Sequence, residues 1–373
     1  MNFKIKKENL VKHLNYVIKG ISNKNIRPIL NCIKFELEKD GLYLSSTDND
    51  IAIKTFIDKK YIEEDYTCGK FVVYGKYIYE IIRKLPNEII SIEEVMDSKI
   101  FISTKNSSFS LNCNNIEEFP NLELEECKNP IILSTKVLKN IFNQTAFAAS
   151  NQESRPAITG INFKIIGDNL ECTATDSYRL AKKIIKLENK VNEDVNIIIP
   201  TKNLIELSKM FDDDEENVEI HIFNNKVIFK FGTIIMLSRL INATYPDVSK
   251  LILEEFLLKV TLSMPDFYSL LDRVSLFSTE EEKNTIKLEC VDNIITVSSN
   301  IPEIGNVVEK IEVEKNNNEN IKIAFSSKYM MEAIKVLDCE KVELCFNGEI
   351  KPIIIKNPDD SNLIQLIVPI KTY

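Results

Sequence analysis

The sequence predicts an α+β protein of three similar domains, each made of two helix-plus-sheet units. Three observations lead to this fold class. A strand-hairpin pattern recurs at a fixed long spacing, six segments have apolar residues at helical spacing, and many short alternating segments lie between those helices. Each helix must cover the apolar face of its sheet, so helices should collect on one side of the chain and strands on the other.

The repeat is clearest in the first two thirds of the chain. Residues 28–35 align with residues 156–163, which lie 128 positions later, and the alignment continues without a gap. It places Thr47 and Asp48 on Thr175 and Asp176. A fainter third copy covers residues 286–300, where Asn300 replaces the aspartate. A period of this length is typical of duplicated units, and it predicts domains at residues 1–127, 128–252 and 253–373.

Six helices are predicted from apolar faces that recur every 3.6 residues. Ser134, Thr201 and Ser326 are the N-cap or flanking residues of three of them, and residues 218–231, with two asparagines at the centre, have the pattern of a hairpin. The predicted faces are Leu10, Leu14, Val17 and Ile18; Ile78, Ile81 and Ile82; Val137, Leu138, Ile141 and Phe142; Leu204, Leu207 and Phe211; Phe267, Leu270, Leu271 and Val274; and Met330, Ile334 and Leu337.

Composition excludes several classes of protein. Hydrophobic residues make up 44% and charged residues 28%, which is typical of a soluble globular chain. The eight cysteines include no Cys-x-x-Cys pair, and two histidines are too few to complete a zinc site. We therefore expect reduced thiols, no metal and no cofactor. No apolar run suits a signal peptide or a membrane span, so we expect a cytoplasmic protein without a membrane partner.

The charge of the chain is unevenly distributed. A formal net charge of −9 would be unusual for a simple nucleic-acid-binding protein, but the six helix windows contain 13 lysines and arginines against 7 acidic residues. A basic helical layer could contact DNA phosphates without reading the base sequence, while an acidic sheet layer would repel DNA. A single lysine on a helix is commonly just solvated, so only the pattern over several helices supports this hypothesis.

An enzyme hypothesis would start from Asp48 and Asp176 as an acid and base pair. Their equivalence in the repeat argues against it, because equivalent residues belong to different domains. The sequence also contains no glycine-rich phosphate loop, no metalloprotease motif and no histidine or cysteine beside these aspartates. A hydrogen-bonding role in a turn is the better interpretation, and we predict no catalytic residues.

Three segments carry a resemblance to a known family. Residues 175–181 (TDSYRLA), 240–247 (LINATYPD) and 368–370 (VPI) together resemble the bacterial DNA polymerase III beta subunit. The resemblance covers the whole chain and implies the DNA clamp fold, in which two three-domain protomers close head to tail into a homodimeric ring with helices inside and sheets outside. It also implies a processivity factor that encircles and slides on duplex DNA and is opened by a loader ATPase.

The resemblance implies protein partners that bind through a short peptide. These are the polymerase III alpha subunit, the clamp loader, and other polymerases and repair proteins. The peptide would bind in a hydrophobic cleft between the second and third domains. Thr175, Arg179, Leu180, Pro246, Val368 and Pro369 match the family at the cleft. Further cleft positions are Ile158, Tyr178, Lys250, Leu251, Tyr329, Ile350, Pro352, Ile367 and Ile370.

Two other surfaces follow from the resemblance and from the basic helices. Candidate DNA contacts are Lys24, Lys76 and Arg83 from the family match, together with Lys139 and Lys202 from the helical layer. Candidate residues of the joint between protomers are Phe109, Leu276 and Phe277. Core packing is the ordinary alternative for Ile158, Leu180 and Val368, and a buried helix end is the alternative for Leu276 and Phe277.

Two alternatives to a main replicative clamp stay open at this point. A divergent second clamp, specialised for repair or for a mobile element, would keep the fold and the ring while changing the cleft. A repeat-built scaffold would bind proteins without encircling DNA, as the acidic net charge would allow. Ser177 and Tyr178 bear on partner preference, because the family often has Gly-His there.

Overall fold

The computed structural model describes residues 1–22, 26–95, 98–191, 193–212 and 216–371. Within them it contains the six predicted α-helices. Ser134 and Ser326 cap two of these helices, because their hydroxyls accept hydrogen bonds from the backbone N–H groups of Val137 (3.3 Å) and Tyr329 (3.4 Å). Thr201 is instead the first residue of its helix. The helices are α1 (Lys7–Val17), α2 (Gly75–Lys84), α3 (Thr135–Thr145), α4 (Thr201–Ser208), α5 (Met264–Ser275) and α6 (Ser327–Lys335).

Strands fill most of the remaining chain. The first third contains β1 (Asn2–Lys6), β2 (Cys32–Leu37), β3 (Gly41–Thr47), β4 (Ile51–Asp58), β5 (Gly69–Tyr74), β6 (Ile89–Val95), β7 (Lys99–Ser103) and β8 (Ser108–Asn114). The middle third contains β9 (Ile131–Ser134), β10 (Gly160–Ile166), β11 (Asn169–Thr175), β12 (Arg179–Lys186), β13 (Val195–Pro200), β14 (Asn217–Ile222), β15 (Lys226–Phe231) and β16 (Ile234–Arg239). The last third contains β17 (Leu258–Ser263), β18 (Thr285–Val291), β19 (Ile294–Ile301), β20 (Gly305–Glu312), β21 (Glu314–Lys315), β22 (Ile321–Ser326), β23 (Lys341–Phe346), β24 (Ile353–Asn357) and β25 (Asp360–Ile367).

The predicted repeat is confirmed by the strand boundaries. The bounds of β3 and β4 fall on those of β11 and β12 when 128 is added to each residue number, and β2 and β10 begin at equivalent residues. A short 3₁₀ turn precedes each hairpin at Pro28–Asn31 and Pro156–Thr159. The hairpin predicted over residues 218–231 is also present, since β14 pairs with β15 and Ile222 lies opposite Val227.

The chain forms two compact units, which do not follow the three repeats. The first unit contains residues 1–138 and 203–240, and its described strands form one sheet in the order β1-β6-β7-β8-β5-β2-β3-β4-β16-β15-β14-β9. The second unit contains residues 139–202 and 241–373. Its described strands form a sheet in the order β13-β10-β11-β12-β25-β24-β23-β17-β21 and a smaller one in the order β20-β19-β18-β22.

The reason for this division is that the sheets run across the boundaries between repeats. In the first unit β4 of the first repeat pairs with β16 of the second, so Ala52 lies opposite Leu237. In the second unit β12 of the second repeat pairs with β25 of the third, so Leu180 lies opposite Leu366. Each pairing is antiparallel and satisfies the backbone groups of both strands.

The apolar faces predicted for the helices are buried. Of the residues named for those faces, only Ile18, Ile81 and Val137 are half-buried. In the second unit α5 and α6 pack together with their sheets around a core that includes Phe267, Phe325 and Ile334. Burying each such side chain contributes about 1.5–3 kcal/mol. No helix in the described part of the chain has the length and apolar character needed to cross a bilayer.

His13 on α1 gives the first unit a specific dependence on pH. Its Nδ1 lies 2.7 Å from the Thr55 hydroxyl on β4. Burial, with the nearby Lys12 ammonium adding to it, lowers the pKa of His13 from 6.5 to about 4. An unfolded chain binds the proton at a higher pH than the folded chain, so acid favours unfolding across this interval.

We therefore expect the unfolding temperature to fall as the pH is lowered from 6.5 towards 4, in part because of His13. Replacing His13 with Gln should flatten this slope, since glutamine does not titrate. Scanning calorimetry at several pH values on both proteins would measure the difference. Parallel slopes would contradict the role assigned to His13, because carboxyl groups would then account for the whole acid effect.

Candidate functional site

A turn between β11 and β12 forms the centre of the candidate site. The Thr175 hydroxyl donates to the carbonyl oxygen of Arg179 (2.6 Å) and accepts from the N–H of Ser177 (3.1 Å). The Asp176 carboxylate accepts the N–H groups of Tyr178 (2.9 Å) and Arg179 (3.0 Å). Thr175 and Asp176 therefore close the turn with side-chain hydrogen bonds.

The first repeat contains the same turn. The Thr47 hydroxyl donates to the Ile51 carbonyl, and Asp48 accepts the N–H groups of Asp50 and Ile51 at 3.0 and 2.9 Å. Asn49 and Ser177 occupy equivalent positions with φ of 77° and 81°. The turn role predicted for the two aspartates is confirmed, because each carboxylate binds its own backbone.

Arg179 is the most constrained charged residue of the candidate cleft. Its Nε donates to the Asp176 carboxylate (3.0 Å), and its Nη1 donates to the Glu332 carboxylate. The guanidinium also lies 4.4 Å from the ring centre of Tyr329 and 5.2 Å from that of Phe147. Burial, with the Asp176 carboxylate adding to it, raises the pKa of Tyr329.

The predicted cleft residues 178–180 and 367–368 lie on neighbouring segments. Arg179 pairs with Ile367, and the Val368 N–H donates to the carbonyl oxygen of Tyr178 (2.8 Å). Leu180 belongs to a buried cluster with Cys345, Ile354 and Leu366, against which Val248, Ile252, Phe256, Ile364 and Val368 also pack. The structure thus brings together polar groups on the turn and an aliphatic floor below them.

The other predicted cleft residues differ in exposure. Ile158, Thr175, Leu180 and Ile367 are buried, which is consistent with core packing for these four side chains. Tyr329, Pro352, Val368, Pro369 and Ile370 are half-buried. Tyr178, Pro246, Lys250, Leu251 and Ile350 are exposed, and the Lys283 ammonium lies 5.8 Å from the Tyr178 ring centre.

Four of the five predicted DNA residues lie on helices, two in each unit. Lys76 and Arg83 are exposed on α2, where Arg83 pairs with Glu80 at 2.8 Å. Lys139 on α3 is half-buried and Lys202 on α4 is exposed. Lys24 lies outside the described residues. Part of the basic layer is compensated, since Lys12 pairs with Asp212 at 2.9 Å.

The predicted joint residues lie on β8 and directly after α5. Phe109 on β8 is 38% exposed. In the second unit the side chain of Leu276 is 75% exposed, so a buried helix end does not describe it. Phe277 is half-buried, and its ring lies 3.5 Å from where a side chain on Gly305, the first residue of β20, would begin.

One group of described residues could be considered for a metal. Glu126, Glu219 and His221 offer ligand atoms within 4.8 Å of one another. However, Nδ1 of His221 accepts the N–H of Cys127 (3.0 Å), so in the neutral ring Nε2 carries the proton. A metal-bound histidine needs a lone pair there and normally donates from its other nitrogen. Lys230, 2.7 Å from Glu126, supplies positive charge instead.

Comparison with known proteins identifies the family of this architecture. Three models of the DNA polymerase III beta subunit match in order, the N-terminal domain over residues 1–123, the central domain over 132–247 and the C-terminal domain over 249–371. The chain belongs to the DNA polymerase III beta subunit family. It is 38% identical to the beta sliding clamps of Staphylococcus aureus and Staphylococcus epidermidis over the full length of each protein.

Solved structures agree with this assignment. The sliding clamp of Bacillus subtilis superimposes with a TM-score of 0.95 at 37% identity, and the beta subunit of Streptococcus pyogenes with a TM-score of 0.94 at 30% identity. Both comparisons cover the whole of each chain. As a member of the beta subunit family, the protein is a sliding clamp, an accessory processivity subunit of a DNA polymerase and not an enzyme. The predicted α+β clamp fold is confirmed.

Sequence reasoning missed several residues that surround Arg179 and Leu180 in this beta subunit. Phe147 and Glu332 contact the guanidinium, and Phe256 packs on the floor below Leu180. Helical spacing alone would assign Phe147 and Glu332 to an ordinary helix end and a solvated helix face. The contact of Glu332 with Arg179 joins the second and third repeats, which β12 and β25 also join by pairing, and no local pattern reports it.

The backbone at Ser177 provides a test of the turn. At φ of 81° a β-branched side chain is strongly disfavoured, whereas glycine has no penalty. We expect Ser177→Val to reduce the free energy of unfolding by about 1–2 kcal/mol relative to Ser177→Gly. Thermal unfolding of both variants would measure this. Equal stability of the two variants would contradict the left-handed conformation at residue 177.

Proposed function

We propose that this chain forms a homodimeric ring that encircles duplex DNA in the cytoplasm and recruits partner proteins through the cleft around Arg179 and Leu180. The full-length match to sliding clamps carries the proposal. The partners would be the polymerase III alpha subunit, the clamp loader, and other polymerases and repair proteins. The ring would slide because it binds phosphates without reading bases.

The basic helices support the DNA part of the proposal. On α2 the apolar side chains of Ile78 and Ile82 are buried, which leaves Lys76, Arg83 and Lys84 exposed. The whole chain has a formal net charge of −9, although the six helix windows contain more basic than acidic residues. The part of the chain outside these helices is therefore strongly acidic. Phosphates would therefore be attracted to the helices and repelled by the remaining surface.

The ring joint is supported by two unpaired strand edges. Among the described residues, β20 pairs only with β19, and β8 pairs with β5 only through Cys113 and Asn114. Such edges are templates for pairing with another chain. Val308 in β20 and Ile304 directly before it are 58% and 74% exposed, and Leu276 directly after α5 is 75% exposed. Pairing of β20 with β8 of a second protomer, with Phe109 against Leu276 and Phe277, would close a two-fold ring.

The cleft is supported by the character of its walls. Its floor contains Leu180, Ile354 and Leu366, and Val248 and Val368 are only partly covered. Exposed Tyr178, Leu251 and Ile350 extend the apolar surface around it. Aliphatic walls of this kind desolvate an inserted leucine or phenylalanine, while nearby polar groups fix its orientation.

The decisive experiment is retention on DNA of different topology. The protein is loaded with an active clamp loader onto nicked circular DNA at a salt concentration that abolishes simple phosphate binding. The DNA is then linearised with a restriction enzyme. We expect the protein to stay on the circle and to leave the linear form, because only a closed ring depends on topology.

Two controls make the result interpretable. Omitting the loader should prevent loading on the circle, and a clamp of known activity should load with the same loader preparation. Equal loss from circular and linear DNA under these conditions would overturn the ring proposal. A scaffold that binds proteins without encircling DNA would then be the favoured function.

The ring joint can be tested separately. Leu276→Asp places a carboxylate in the proposed apolar contact and should convert the dimer to a monomer, because an unpaired charge is costly to bury. Ile166→Asp is the matched control, since Ile166 is an exposed aliphatic residue of the same size as leucine but lies outside the proposed joint. Sedimentation velocity would report the mass. A dimer that persists in Leu276→Asp would contradict this joint.

A further inference from the structure

The guanidinium of Arg179 joins residues from two of the predicted domains within the second unit. Asp176 and Phe147 come from the second predicted domain, and Glu332 and Tyr329 come from α6 in the third. The Arg179 side chain is only 11% exposed. Two carboxylates and two aromatic rings therefore surround one cation at the edge of the cleft.

These contacts leave Arg179 poorly available to a ligand. Its Nε is bound to Asp176 and its Nη1 to Glu332, so two of its donor groups already have charged partners. A peptide group that bound the guanidinium would have to displace Glu332 or lie outside the aromatic rings. Charge-assisted hydrogen bonds are among the stronger polar contacts in proteins, and more so when they are shielded from water.

The same contacts fix the position of Tyr329, which is accessible to a bound peptide. Tyr329 lies at 4.4 Å from the guanidinium and is half-buried, so part of its ring faces outward. Glu332 is one turn further along α6 and lies on the same side of the helix. Arg179 thus holds the first turns of α6 against the turn that carries Tyr178.

We infer that Arg179 is a positioning residue, which holds α6 and Tyr329 in place beside the cleft through Glu332, and that it does not itself bind the partner peptide. This inference rests on the proposed peptide-binding function of the cleft. It assigns to Glu332 a role in peptide affinity, although Glu332 was not among the predicted cleft residues. The partner's polar residue would then contact Tyr178, Tyr329 or backbone groups.

Peptide affinity separates positioning from direct contact, because the two roles give opposite results for Glu332. If Arg179 only positions α6, Glu332→Ala removes no peptide contact but loosens the helix, and affinity falls. If Arg179 binds the peptide, Glu332→Ala frees the guanidinium, and affinity rises. The probe is a fluorescein-labelled synthetic peptide containing leucine, phenylalanine and one polar residue, and its binding to the full-length protein is measured by fluorescence anisotropy.

We expect Glu332→Ala and Arg179→Ala each to weaken binding by roughly tenfold, the factor that corresponds to about 1.4 kcal/mol. The double variant should bind the peptide no more weakly than either single variant, since each substitution removes the same contact between Arg179 and Glu332. Arg179→Lys should recover part of the affinity, because it keeps the charge but loses the planar geometry. Measurements at a temperature far below unfolding exclude a general loss of stability as the cause.

A second peptide, with its polar residue replaced by alanine, adds an independent readout. With a positioning role, Arg179→Ala weakens both peptides by the same factor and leaves their ratio unchanged. Glu280→Ala is the matched control, because Glu280 also pairs with a cation on α6, Lys328 at 3.7 Å, but is largely exposed. It should leave affinity unchanged.

Two outcomes would overturn the inference. The first is that Glu332→Ala binds the peptide more tightly or equally well while Arg179→Ala binds it more weakly. The second is that Arg179→Ala no longer discriminates between the two peptides. Failure of the proposed function looks different. In that case the unaltered protein would not bind either peptide, although a clamp of known activity would bind both.

Discussion

Backbone pairing between β12 and β25 is the constraint on which the candidate cleft depends. It sets Arg179 opposite Ile367 and Leu180 opposite Leu366, and it continues one sheet from the second repeat into the third. Every hydrogen bond of this seam would be lost to water if the two strands separated. The aliphatic floor and the contacts of Arg179 can therefore be built from residues far apart in sequence.

Sequence alone predicted the elements that local rules determine. The repeat placed Thr47-Asp48 on Thr175-Asp176, and both pairs close the same turn because a threonine hydroxyl and an aspartate carboxylate can each bind nearby backbone groups. The six helices followed from apolar spacing, and Ser134 and Ser326 were correctly identified at their starts. These features depend on neighbours within a few residues, which a sequence displays directly.

The surroundings of Arg179 could not be predicted in the same way. Glu332 is separated from Arg179 by 153 positions, and its approach to the guanidinium requires both the β12–β25 seam and the direction of α6. Nothing in the spacing around Glu332 distinguishes it from a solvated glutamate. The same holds for Phe147 and Phe256, whose apolar character indicates burial but not the partner against which they pack.

The candidate cleft lies at the β12–β25 pairing, and the equivalent pairing of β4 with β16 has a different set of side chains. The Arg239 N–H donates to the carbonyl of Asp50 just as the Val368 N–H donates to that of Tyr178, so the backbones are equivalent. Ile51 and Ala52, however, occupy the positions of Arg179 and Leu180. The turn and the pairing are shared and so cannot create the site. What differs is the cation that contacts Tyr329 and Glu332 and the side chain of Leu180 in place of that of Ala52, so the proposed peptide binding would depend on these side chains.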